Sequence, residues 1–125
     1  MDRKNLFKHL ALLILFIFVL NFLANKFFWY SSIWYLDMIM HFLGGLWLGL
    51  FAFYLFREEN ISFRLIFKIL LFVFIVGIGW EIYEVLVDKV VTQNSINVLD
   101  TSSDLFFDLS GGLYAILYLW KKMQK

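Results

Sequence analysis

The chain has 125 residues, of which 62% are hydrophobic, 22% aromatic and 17% charged, with no proline and no cysteine. A soluble domain of this size carries about 45–50% apolar residues, so the composition excludes an ordinary soluble fold and predicts an integral membrane protein with the lipid bilayer as its first partner. The lack of cysteine excludes disulfides and thiolate metal ligands, and the net charge of +1 informs only through its distribution along the chain.

The first apolar run extends from about residue 6 to 28 behind Arg3, Lys4 and Lys8, and has the length of about 20 residues that a bilayer core requires. A signal peptide would share the basic start and apolar core. No small-residue cleavage pattern follows Leu20, so an uncleaved first helix is expected. Asn21 suits either a hydrogen bond to a neighbouring helix or a position near water. The aromatic cluster Phe27-Phe28-Trp29-Tyr30, with Trp34-Tyr35 after the turn at Ser31-Ser32, suits a membrane–water interface.

A second span is predicted over 33–56, with Asp37, His41, Gly44 and Gly45 near its start and the charged turn Arg57-Glu58-Glu59-Asn60 after it. A third covers 65–87, with Lys68 close enough to its start to snorkel. Lys89 and the polar stretch 90–97 then read as an exposed loop. A fourth, short span is expected over 102–120, opened by the cap-like Thr101-Ser102-Ser103-Asp104 and closed by Lys121, Lys122 and Lys125. With four spans, nine of the eleven basic residues fall on the terminus side, leaving Lys26 and Lys89 opposite. The positive-inside rule then predicts an all-α, single-domain four-transmembrane-helix bundle over 1–125 with both termini cytoplasmic.

The third span carries the most informative feature. Gly77, Glu81, Glu84 and Asp88 follow one another at spacings of four, three and four, so they share one helical stripe. A carboxylate at membrane depth costs several kcal/mol unless it is partnered, protonated or bound to a cation, which makes an intramembrane acid a functional candidate by default. The predicted topology brings Asp37 and His41, Glu81 and Glu84, and Asp100, Asp104 and Asp108 to the same extracytoplasmic face. Asp37-His41-Gly44 and Asp104-Asp108-Gly111-Ala115 repeat the helical spacing, so their small residues can let the helices approach.

Several carboxylates and one imidazole cannot share a small pocket as bare charges; protons or a cation must compensate them. Oxygen ligands with one nitrogen and no thiol suit a divalent ion such as Mg, Mn, Zn or Fe. The expected ligands are His41, Glu81, Glu84, Asp104 and Asp108. Asp37, one turn before His41, is expected to orient the ring. Blander readings stand beside these. Asp37, Asp100 and Asp104 also suit helix starts, where the dipole favours carboxylates; Asp88 suits a solvated helix end, and His41 suits packing. Trp47, Trp80 and Tyr83 read as packing or interface residues. Glu81 and Glu84 have the weakest structural excuse.

The elements Asp37-x-x-x-His41-Phe42-x-x-Gly45, Glu81-x-x-Glu84 and Asp100-Thr101-x-x-Asp104-Leu105-x-x-Asp108, followed by Gly111-Gly112, occur in order over about two thirds of the chain. They resemble the polar signature of small YjdF-type bacterial inner-membrane proteins and, more distantly, VanZ-like proteins associated with glycopeptide resistance. The Gln and Arg that follow the Glu in many VanZ-like sequences are absent here. The resemblance implies a multi-pass protein of the bacterial cytoplasmic (inner) membrane with a polar site, and it implies no particular reaction.

Three functions follow as expectations. The first is a metal-dependent membrane enzyme acting by activated water on a lipid or envelope-linked substrate, with Glu81, Glu84 and Asp37 in catalytic or orienting roles. The second is a cation or proton binding or transport protein. The third is a structural or resistance accessory protein whose polar cluster only fixes packing. Gly45-x-x-x-Gly49 offers a packing motif for a homo-oligomer. No nucleic-acid partner is expected.

Overall fold

A computed structural model of the chain describes residues 3–33, 35–56, 61–87 and 98–123. Every regular element in them is helical: α1 (Arg3–Lys26), a one-turn α2 (Trp29–Ser32), α3 (Leu36–Phe56), α4 (Phe63–Val87) and α5 (Val98–Met123). Trp34, the turn at 57–60, Asp88, Lys89 and the loop at 90–97 lie outside the described residues, as do Asp2 and Lys125.

Local chemistry sets the helix ends. After α1, Phe28 takes up a left-handed conformation with φ 59°, a conformation uncommon for non-glycine residues that breaks the helical run. The Ser32 hydroxyl then donates to the Phe28 carbonyl at 3.0 Å across the single turn of α2. At the start of α4 the Ser62 hydroxyl accepts the Leu65 amide at 3.2 Å, satisfying one of the amides that a helix start leaves without a partner.

α1, α3 and α4 are long and apolar enough to cross a membrane. α5 is not among them, although its 26 residues reach about 39 Å at the usual helical rise. Asp100, Asp104, Asp108, Lys121 and Lys122 interrupt its apolar run. It also begins at Val98, earlier than the cap-like residues at 101–104 suggest. Asp104 is therefore inside the helix and 1% exposed, which removes its reading as a capping residue.

α3 and α5 form the central pair and run parallel. Gly45 faces the Asp108 backbone, Gly49 faces Gly112 and Ala115, and Gly111 faces the backbone between Phe42 and Leu46. A Cβ on Gly45 would overlap the Asp108 carbonyl, and one on Gly111 would overlap that of Phe42. Only glycine permits this approach. Gly44, expected on the packing stripe, has nothing within 4 Å of where a Cβ would stand and is turned away from α5. The Gly45-x-x-x-Gly49 motif is thus used inside the chain and is not free for a second copy.

α4 packs against both helices and α1 packs against α3, while among the described residues α1 and α4 make no close backbone approach. The bundle has two unlike halves. Toward the chain termini, Leu6, Leu10, Leu50, Phe53, Leu65, Ile69, Ile116 and Leu119 form a continuous apolar core. Its edges are tied by the Trp47 indole donating to the Leu10 carbonyl at 2.9 Å and by Arg3 donating to the Tyr54 carbonyl at 2.9 Å. Four buried polar side chains, His41, Glu81, Asp104 and Asp108, occupy the other half.

Candidate functional site

The polar half is assembled by helix contacts that the glycines allow. Asp37 lies in the first turn of α3 and His41 one turn deeper. Because Gly45 brings the backbone of α5 against α3, the Asp108 carboxylate reaches the imidazole, with Oδ1 3.0 Å from Nδ1. In the tautomer that carries its hydrogen on Nδ1, the ring donates and the carboxylate oxygen accepts. Gly77 on α4 makes room from the other side: a Cβ there would stand 2.8 Å from Oδ2 of Asp108.

With Nδ1 committed, Nε2 of His41 faces two carboxylates. Oδ2 of Asp104 lies 3.4 Å away and Oδ1 of Asp37 3.6 Å. Charge-assisted hydrogen bonds run about 2.7–2.9 Å, so both separations are too long for a ring proton to bridge well. Oδ2 of Asp104 is also buried without a hydrogen bond. Two ligand atoms each about 2.1 Å from a tetrahedral ion stand about 3.4 Å apart. The spacing around Nε2 therefore matches that of ligand atoms around a small divalent cation.

α4 supplies the opposite wall. Glu81 is 5% exposed. Glu84, half-buried, accepts a 2.8 Å hydrogen bond from the Trp80 indole one turn earlier. Asp37, His41 and Asp104 offer three ligand atoms within 4.8 Å of one another, and so do Glu81, Glu84 and Asp104. Asp104 belongs to both groups, so its carboxylate stands between two adjacent ligand sets.

Beside this cluster lies a cavity of about 470 Å³. Asp37, His41, Glu84 and Asp108 are among its polar lining, and Ile17, Phe18, Met40, Leu48 and Val76 form apolar walls. Near the rim the Tyr30 phenol donates to Oδ1 of Asn21 at 2.6 Å. Burial, and after it the Asp37 carboxylate, push the Tyr30 pKa up, which keeps the phenol protonated as the donor.

Of the residues singled out in the sequence, Asp37, His41, Glu81, Glu84 and Asp104 come together in the two groups. Asp108 stands behind them on Nδ1. The hydrogen bond that orients the ring thus comes from Asp108 and not from Asp37, which lies on the Nε2 side because it shares a helix face with His41 one turn away. Asp88 and the Asp100 side chain lie outside the described residues. The pairing of Asn21 with Tyr30, the Trp80 support for Glu84 and the room made by Gly77 have no sequence signature beyond helical spacing. The choice of Gly45 over Gly44 could have been found from the series His41, Gly45, Gly49, which keeps a spacing of four.

A helical bundle with three helices fit to cross a membrane and an acid/histidine cluster buried at one end is a small polytopic membrane protein. Over residues 1–125 the chain matches the family described as Predicted membrane protein (DUF2238), and it belongs to that family. No curated protein and no solved structure matches it.

Proposed function

We propose that the cluster is a divalent-metal centre at the extracytoplasmic end of a four-span bundle, and that it hydrolyses or transfers a group on a lipid or envelope-linked substrate. The observation that carries this reading is the His41 Nε2 environment, where an imidazole nitrogen stands 3.4 Å from an Asp104 oxygen and 3.6 Å from an Asp37 oxygen, at ligand-to-ligand spacing. In this reading α5 is the fourth span, buried by its polar face against α3 and α4, and both termini are cytoplasmic. The likeness of the three motifs to YjdF-type and VanZ-like proteins supports a bacterial cytoplasmic membrane.

His41, Asp37, Asp104, Glu81 and Glu84 would hold one or two ions of the Mg, Mn, Zn or Fe type, and Asp108 would fix the tautomer that frees Nε2. An ion there would supply Lewis acidity, lowering the pKa of a water and polarising a substrate oxygen. With an ion held by Asp37, His41 and Asp104, Glu84 is not a ligand; steadied by Trp80 and bordering the cavity, it would take the water proton as general base. The water oxygen bonds to the carbonyl carbon or phosphorus, the bond to the leaving alcohol breaks, and the proton passes to that alcohol. No lysine or arginine lines the cavity among the described residues, so holding an anionic oxygen falls to the metal.

Transport of a cation through the bundle is supported less well. The half opposite the cluster is closed by the apolar core from Leu6 to Leu119, which offers an ion no polar path. The test is metal analysis of protein purified in detergent, wild type against an Asp104→Asn variant of unchanged elution and helicity, since Asp104 belongs to both ligand groups. Stoichiometric metal in the wild type and its loss in the variant are expected. Metal in neither, after exposure to each of the four ions, overturns the reading and leaves helix packing as the account of the cluster.

A further inference from the structure

We infer that the cavity beside the cluster is a lateral entry cleft for a bilayer lipid, which lays an alkyl chain between α1 and α4 and brings its head group to Asp37, His41 and Glu84. Calling that lipid the substrate rests on the proposed metal chemistry. Its occupancy of the cleft does not.

Three observations converge on this occupant. First, α1 and α4 both line the cavity yet do not close on one another, so a gap remains between two helices that are each apolar enough to face lipid. What stands outside such a gap is the hydrocarbon of the membrane. Second, the lining is mixed. Ile17 and Phe18 of α1, Leu48 of α3 and Val76 of α4 give it apolar walls, while Asp37, His41, Glu84 and Asp108 bring acids and an imidazole to it. A water-soluble ligand would gain nothing from the apolar walls, and a pure hydrocarbon nothing from the polar groups; an amphiphile matches both. Third, the size is that of a ligand site. About 470 Å³ falls within the roughly 300–1,000 Å³ usual for small-molecule pockets.

Gly44 forms part of this wall. Its neighbour Gly45 is required for the contact with α5, whereas a Cβ at position 44 would have nothing within 4 Å, and Gly44 lines the cavity together with Leu48 and His41. Glycine in a helix interior is destabilising relative to alanine. Here it keeps the cavity open and makes no contact of its own, which is what passage of a chain past α3 requires.

The experiment uses the full chain, purified with its metal and reconstituted in vesicles of phosphatidylethanolamine and phosphatidylglycerol. A trace of phosphatidylglycerol bears a photoactivatable diazirine in one acyl chain. After irradiation, labelled residues are mapped by peptide mass spectrometry and metal content is measured on the same samples. Wild-type protein is expected to be labelled at Leu48 on the cleft wall as well as at Leu12, which is 66% exposed on the outer surface of α1. Gly44→Leu is expected to lose the label at Leu48 while keeping that at Leu12 and keeping the metal. Val76→Trp narrows the cleft from α4 and should act in the same way, which covers the case in which Gly44→Leu does not fold. No label at Leu48 in the wild type, or labelling there that persists in the folded variants, overturns the inference. Metal absent from every sample refutes the metal centre instead, and the labelling still decides the cleft by itself.

Discussion

Nδ1 of His41 lies 3.0 Å from Oδ1 of Asp108, although 67 residues separate them in the chain. The contact exists because two parallel helices touch through glycines, Gly45 on one and Gly111 on the other, and the side chains one turn away are carried into reach. It also decides which ring nitrogen is available, since a carboxylate on Nδ1 leaves Nε2 to face Asp37 and Asp104.

Replacing Asp108 should therefore weaken metal binding without removing a ligand. Partners of this kind typically account for 10–100-fold in metal affinity, and Asp108→Leu is expected to fall within about that range. Competition titration against a chromogenic chelator measures it, with circular dichroism as the check on folding. Affinity equal to that of wild type would mean that the ring needs no orienting partner.

Asp104 stands in both ligand groups, whereas Glu84 stands in one. If two ions bind, Asp104→Asn should empty the whole centre and Glu84→Gln should release only one equivalent. Elemental analysis of the two purified variants reads the difference. Equal losses in both would point to a single shared ion.

The adjacent glycines of α3 should respond oppositely to alanine. At position 45 the new methyl group meets backbone of α5, which cannot turn aside as a side chain can. The cost should reach or exceed the about 1–3 kcal/mol usual for overpacking, a large part of a typical folding free energy. At position 44 the methyl group meets nothing within 4 Å, and removing a helical glycine should be neutral or stabilising by up to about 1 kcal/mol. Thermal unfolding in detergent separates the two, and similar melting temperatures would contradict the α3–α5 interface.

Acid should strip the metal. The ligands bind as carboxylates and as neutral imidazole, so protons compete for every one of them and metal binding releases protons. Retention on a desalting column is expected to be complete near neutral pH and to fall as pH is lowered, with the metal recovered on returning to neutral pH. Retention that does not change with pH would exclude this ligand set.

The helices and the acids on them were largely legible in the sequence because both are local. Twenty-residue apolar runs mark spans whatever surrounds them, and Glu81 and Glu84 share a face because three residues make nearly one turn. The start of α5 was less legible. Thr101-Ser102-Ser103-Asp104 has the composition of a cap, yet the helix begins at Val98 and buries Asp104 against α3 and α4. A cap signal reports what a residue can do at a helix start, and burial by neighbouring helices outweighs it.

Composition and spacing alone placed this chain in a membrane, drew Asp37, Glu81, Glu84, Asp104 and Asp108 toward one end of the helices, and left His41 as the one imidazole among them. Tertiary structure alone decided that Gly45 and not Gly44 meets α5, that Asp108 takes Nδ1 while Asp104 and Asp37 take the Nε2 side, and that α1 and α4 stand apart to leave a cavity. The physical reason is rotation. Adjacent residues differ by about 100° around a helix, so spacing names a stripe, while the contacts among all the helices together choose which stripe each one presents.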